Sequence, residues 1–433
     1  MIKKELKPTA TNNVSTYIPI IRTKPHYYKF KWHTVLGYFV HRVYRKTFNA
    51  SKLDDFKFQC RQTFEDKLDI EDFWQVIEDI YFNKGQIYKI SPELLTLKSS
   101  KEELDSNSKN LGNMYISLLS DFSLPSSPGR NLNFIEKELK SEFDKFCSDD
   151  HKPTKSNSSL TPYLPFLTER FRQDLEFLNS HPRYLFNNLD NFIKLYGFLY
   201  VSQMGLNIRS WTTGPTAKPC YLILDTEKAS NERTKVKRYG FSQLRDHLEY
   251  LFPYLAMNES MQEKGNVEPI WKLADYLKAS NDHLSHLKEY ARAFVHKREL
   301  SEEASIDTDN SVEMLEHLLK LSSKQFERGE RRYPYNQEVV KGLLKTLCNS
   351  FVQKRGRAGQ VLILSQDFLV LLTNLAIGNK DKLRLHELVK AFESRGVFFD
   401  KQSQQCLVSF YERMGNAERM SDSGDAVYVR KTV

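Results

Sequence analysis

The chain has 433 residues, with 64 Lys and Arg against 55 Asp and Glu, a net charge of +9 and a pI near 9.0. That length allows two or three domains with ample core, and the basic balance favours an acidic partner without naming it. Five scattered cysteines (Cys60, Cys147, Cys220, Cys348, Cys406) form no pair at zinc spacing, so a reducing compartment is expected and a structural metal is not.

The N-terminal end, MIKKELKPTATNN, lacks the apolar core of a signal peptide, and no apolar run reaches 18 residues. The expectation is a cytoplasmic protein with no membrane contact. From Leu6 to Leu53 there is no Asp or Glu, while Lys7, Arg22, Lys24, Lys29, Lys31, Arg42, Arg45, Lys46 and Lys52 account for the whole net charge. Tyr27, Tyr28, Phe30, Trp32, Tyr38, Phe39, Tyr44 and Phe48 interleave with them. Bases mixed with aromatics suit a nucleic-acid strand, the cations meeting phosphate and the rings stacking. The alternative is an amphipathic helix over about 33–48, its rings in the core and its bases solvated.

Residues 54–97 read as helical, with Phe56, Phe64, Leu68, Phe73, Trp74, Ile77 and Ile80 at helical spacing. The acids crowding this part are expected as solvated ion pairs rather than a metal site. Polar, turn-rich stretches follow at 98–113 and 124–131, then a helix over about 133–147. The Ser/Asn/Pro run at 148–162 predicts a linker and a domain boundary. Three regions are thus expected: 1–150, basic and aromatic-rich; 160–353, a helical body; and 354–433, a terminal unit.

Within the body, 163–212 is a dense Leu/Phe/Tyr helical block. Tyr221 to Leu224 predicts a short buried strand running into Asp225 and Glu227. A carboxylate pair at a strand end invites comparison with metal-dependent nucleases. The spacing is wrong for it, because Glu227 and Lys228 are adjacent and point to opposite strand faces. A basic loop (Arg233, Lys235, Lys237, Arg238) leads into an amphipathic helix. His283 and His286 share a helical face, with His296 beyond, and are expected as surface or capping residues. An acidic loop at 301–311 and helices over 312–353 complete the body, the latter interrupted by Arg328, Arg331 and Arg332. Lys354, Arg355 and Arg357, with two glycines, predict a flexible basic linker into a short strand.

The terminal unit reads as three helices and a hairpin. SQDFLVLLTNLAIG has Ser365 as N-cap and Gly378 beyond its end. KLRLHELVKAFESRG places Leu385, Leu388, Val389 and Phe392 on one face before Gly396. The third helix opens with Asp400 capping the N–H of Ser403. It buries Leu407, Phe410, Tyr411 and Met414, and ends at Gly415. NAERM and AVYVRK then flank a Ser/Asp/Gly turn. This is the order of a winged helix, whose third helix enters the major groove while the hairpin lies on the backbone. The overall expectation is a mainly α protein, a multi-helical body with a C-terminal winged-helix-like unit. Lys401, Gln402, Gln404, Gln405, Ser409 and Arg413 would face DNA, with Arg419, Arg430 and Lys431 on the wing. The same unit can instead serve as a protein-docking module.

There is no GxxxxGK[ST], GxGxxG or GxSxG, so no Walker-type ATPase, and no cofactor is implied. The segments CYLILDTEKAS, PYLPFLTERFRQDLEFL, FIKLYGFLYVSQMGLNI, GRAGQVLILSQDFLVLLTNLAIG and RGVFFDKQSQQCLVSFYERMGNAERMSDSGDAVYV resemble DptG, a DNA phosphorothioation-dependent restriction protein. The resemblance covers about 160–433. It implies a bacterial phage-defence module in which DptG acts with DptF and DptH on DNA lacking the sulfur-for-oxygen backbone modification. The nucleotide-hydrolysing machinery would belong to those partners, and the resemblance brings no catalytic residue. The expected role is a non-ATPase DNA-binding or scaffolding subunit. The alternatives are a metal-dependent nuclease using Asp225 and Glu227, and a winged-helix transcription regulator.

Overall fold

A computed structural model describes residues 2–9, 11–19, 32–48, 52–68, 72–99, 106–125, 132–149, 160–229, 232–301, 306–420 and 426–433. The fold is mainly helical with three small sheets. Among the described residues, no helix is long and apolar enough to cross a membrane.

The chain begins as a strap. Ile2 bridges to Gln262, and the backbone N–H groups and hydroxyls of Ser15 and Thr16 donate to the Glu259 carboxylate. Next come α1 (Trp32–Tyr44), β1 (Lys46–Phe48), α2 (Leu53–Lys67), α3 (Phe73–Ile77), α4 (Thr96–Ser99), α5 (Ser106–Leu119), α6 (Phe134–Phe146) and β2 (Cys147–Asp149). β1 and β2 pair antiparallel. Phe56, Cys60 and Phe64 recur every fourth residue on α2. They meet Trp74, Leu139 and Phe143 in a hydrophobic cluster of their own. α1 and α5 turn the other way, sending Val35, Phe39, Leu111 and Tyr115 into the main core. Ile80, expected on the buried face, is 39% exposed.

The main core is built round α8 (Pro182–Asn207), which follows α7 (Pro165–Asn179). Pro182 starts α8, where a missing N–H costs nothing. From Leu195 to Asn207 every residue is buried, because α1, α7, α10 and α16 cover it on several sides. The helices that complete the body are α9 (Thr234–Tyr239), α10 (Phe241–Leu248), α11 (Leu251–Met261), α12 (Ile270–Ala279), α13 (Leu284–Arg298), α14 (Ser311–Lys324) and α15 (Tyr333–Thr346).

β3 (Ile223–Leu224), β4 (Val352–Lys354) and β5 (Gln360–Leu364) make the second sheet, in the order β3-β5-β4. β3 and β5 are parallel, with the helices α9 to α15 as the crossover between them. β4 returns antiparallel on β5. Residues 353–364 are therefore a paired hairpin, where a flexible linker was expected. The addition of β3 to this hairpin could not be read locally, because that strand lies on the far side of seven helices. Alternation sorts the sheet's side chains: Leu222, Leu224, Leu362 and Leu364 face the main core. Ile223, Val361 and Ile363 face outward and are covered by Val236 of α9.

The chain ends with α16 (Gln366–Ile377), β6 (Lys382–Arg384), α17 (Leu385–Glu393), α18 (Lys401–Met414), β7 (Ala417–Met420) and β8 (Ala426–Arg430). The third sheet is antiparallel in the order β6-β8-β7. Asp400 caps α18 by accepting the N–H of Ser403 at 2.9 Å. Leu407, Phe410 and Tyr411 are buried, whereas Met414 is 42% exposed, since no described residue covers the last turn of α18 on that side.

Candidate nucleic-acid interface

Two buried arginines fasten this terminal segment to the body. At the end of α17, Arg395 makes a two-point contact with Asp174 of α7. At the start of α18, Arg233 joins three elements. Its Nε and Nη2 donate to Asp400 at 2.9 and 2.5 Å, its Nη1 to Glu227 at 2.7 Å, and its Nη2 also to the Ser403 hydroxyl at 2.5 Å. Burial pushes the Asp400 carboxyl up. Hydrogen bonds from Arg233 and the Ser403 N–H outweigh it, so the carboxyl sits below its ordinary range. The same partners hold the Arg233 guanidinium above its own ordinary value despite burial.

Glu227 is fully engaged. Oε1 accepts the N–H of Leu224 at 2.8 Å, and Oε2 accepts Arg233 and the Ser403 hydroxyl. This occupancy removes one of the two carboxylates that invited the nuclease comparison. Among the described residues, no group of three His, Cys, Asp or Glu could hold a metal ion.

α9 begins one residue after Arg233, so its first turn lies beside the first turn of α18. Val236 seats it on the outer face of the β3-β5-β4 sheet, next to Ala229 and Ala358. Ala358 belongs to the tip of the β4–β5 hairpin, and Arg355 of that tip donates to the backbone oxygen of Asp225. The turn after β3, α9, the hairpin tip and the start of α18 are thus tied into one surface. Lys228, Lys235, Lys237, Arg238, Lys354, Arg357 and Lys401 are exposed there, and Arg413 is exposed at the other end of α18. None is ion-paired with another described residue. A surface on which exposed cations outnumber acids, Asp225 and Glu232 included, has a positive potential that attracts polyanions.

The expected site residues separate into three groups. On α18, Lys401, Gln402, Gln405 and Arg413 are exposed. Gln404 is half-buried and turns back to donate to the carbonyl of Phe399 at 3.0 Å. Lys354 and Arg357 project from the hairpin, while Arg355 is turned inward by its Asp225 contact.

The wing differs. Arg419 pairs with Glu412 at 2.6 Å, Arg430 pairs with Glu418, and Lys382 reaches Glu418 at 2.8 Å. Lys431 donates to the carbonyl of Gly378 at 3.2 Å. The strand register that places Glu418 and Arg430 on neighbouring strands could not be read from the sequence.

The N-terminal bases form the third group. Lys46 pairs with Asp144 at 2.6 Å, Arg45 donates to the carbonyl of Asp121 at 3.0 Å, and Arg42 is half-buried on α1. They belong to the α1–β1 junction, whose neighbours include α4, α5 and β2. Lys29, Lys31, Tyr27, Tyr28 and Phe30, with Arg22 and Lys24, lie outside the described residues, as does the Ser/Asp/Gly stretch 421–425.

Neither Arg233 as the joint nor α9 as a helix was legible in the sequence. TKVKRY offers only Val236 and Tyr239, too few to establish a period. No family model matches this chain, and no curated protein matches it.

Proposed function

We propose that this chain is a DNA-binding and scaffolding subunit, without ATPase activity of its own, of a bacterial phosphorothioation-dependent restriction complex acting on unmodified DNA. Its terminal unit, α16, β6, α17, α18, β7 and β8 in that order, is read as a winged helix with α18 as the groove-facing element. DptF-like and DptH-like subunits would supply nucleotide hydrolysis, and the site of action would be the cytoplasm. The likeness of residues 160–433 to DptG supports the system. Lys401 at the start of α18, near the hairpin cations Lys354 and Arg357, and Arg413 in the last turn of α18 carry the DNA-binding part, none of them ion-paired with a described residue. Gln402 and Gln405 on the same helix offer the amide groups that pair with adenine edges.

The helical body is the surface left for partner subunits. A pure docking module is the second reading, favoured by one observation: the wing cations are already neutralised by Glu412 and Glu418. Binding of the full chain to duplex DNA over a salt series separates the two. The DNA reading expects a steep fall of affinity with salt, and a shallower slope for Lys401→Glu with Arg413→Glu. No salt-dependent binding by the unaltered chain would leave the docking module.

A further inference from the structure

α9 shows three cations, Lys235, Lys237 and Arg238, on the side away from Val236, which packs on the sheet. It is fixed at its start by Arg233, which the Asp400 and Glu227 carboxylates hold in place. A rigid mount matters here, because the backbone that carries these side chains then needs no further ordering on meeting a ligand. The neighbouring hairpin tip adds Lys354 and Arg357.

The kind of polyanion follows from the rings beneath the cations. Single strands are held by open aromatic platforms on which bases stack. The two rings beside α9 are covered: Lys235 Nζ lies 5.6 Å from the centre of Tyr221, and the Arg238 guanidinium 5.3 Å from that of Tyr239. Both tyrosines are half-buried. The face therefore offers charge without stacking, which fits the regular phosphates of a duplex whose bases stay paired.

We infer that α9 and the 354–357 hairpin tip grip the phosphate backbone of duplex DNA alongside α18. This rests on the DNA-binding function proposed above. α9 positions the duplex independently of sequence, and the exposed face of α18 lies next to the groove.

The test is fluorescence anisotropy of the full chain with a short duplex and with one of its strands, over a salt series. The variants are K235E/K237E/R238E, its milder form K235Q/K237Q/R238Q, and K401E/R413E. Unfolding curves matching the unaltered chain show that the fold is kept. Each lost phosphate contact lowers the salt slope by about 0.9, so the α9 triple variant should lower it by about two or more and weaken duplex binding at least about tenfold. If the α9 variants keep the full slope while K401E/R413E loses it, the assignment of α9 is overturned and the DNA-binding function stands. If the unaltered chain shows no salt-dependent binding, both fall. Tighter binding to the single strand than to the duplex overturns the duplex assignment.

Discussion

Arg395 and Asp174, 221 residues apart in sequence, meet as a fully enclosed two-point pair. Nε donates to Oδ2 at 2.8 Å, Nη2 donates to Oδ1, and the Tyr196 hydroxyl donates to Oδ2. Arg395 is 4% exposed and Asp174 1%, so neither can return to water in the folded chain. The Arg395 guanidinium also donates to the carbonyls of Ala391 and Leu375, which take two of its three remaining N–H groups.

Arg395→Met should therefore destabilise the chain by about 3–5 kcal/mol, the scale for leaving one buried charge without its partner. Arg395→Met combined with Asp174→Leu should recover much of that loss, since an apolar replacement of the whole pair leaves no orphan charge. Denaturant unfolding measures both. A loss under about 1 kcal/mol for the single variant would mean that water reaches Asp174 in the native state.

The residue after Arg395 offers a second contrast. Gly396 has φ of +87°, and a Cβ placed there would lie 2.3 Å from Gln203 Nε2 and 2.4 Å from its Cδ. Gln203 cannot swing aside, being buried and bonded to both the N–H and the carbonyl of Lys218. Gly415, after α18, has φ of +73° but nothing within 4 Å. Gly415→Ala should cost about 1–2 kcal/mol, from backbone conformation alone. Gly396→Ala should cost at least about 1 kcal/mol more, from overpacking. Equal losses in unfolding experiments would show that Gln203 yields.

The Arg233 joint predicts a pH dependence. A carboxyl held below its ordinary range contributes stability that is fully present above the unfolded pKa. It is lost as pH falls through the lower, folded value. For Asp400 the unfolded value is about 3.9. Asp400→Asn keeps a cap for Ser403 but removes the charge facing Arg233. The stability gap between the unaltered chain and Asp400→Asn should be constant above about pH 5 and should close below about pH 4. A gap as wide at pH 3 as at pH 7 would show that the charge is not its source.

The helical faces of α16 to α18 and the cap of α18 were legible because they are local, whereas Ser365 precedes α16 without a side-chain cap bond and Lys382–Arg384, expected as the start of the second helix, is strand β6. Asp400 reaches Ser403, Gly396 and Gly415 adopt positive φ, and Leu407, Phe410 and Tyr411 recur at helical spacing. The buried block 163–212 was legible for the same reason and appears as α7 and α8. What escaped depends on partners far away in sequence. Arg233 reaches Asp400 across 167 residues, and β5 pairs with a strand beyond seven helices. Met414 escaped differently: its spacing is that of a core residue, but burial also needs a neighbour, and no described residue covers that turn. The wing cations could be counted in the sequence but not their neutralisation, which depends on strand register.

That neutralisation makes the last prediction. Arg419 and Glu412 are 60% and 42% exposed, and such surface pairs are weak, about 0–1 kcal/mol. DNA could break them, but Glu412 and Glu418 would then stand next to phosphate and repel it. Lys401 and Arg413 have no such opposing acid in an ion pair among the described residues. Arg419→Gln with Arg430→Gln should therefore change duplex affinity by less than about threefold and leave the salt slope unaltered. Lys401→Gln with Arg413→Gln should lower the slope by up to about two. Anisotropy titrations of the two double variants decide it. An equal drop in slope for the wing variant would mean that DNA displaces both glutamates, which would make the wing part of the contact surface with α18.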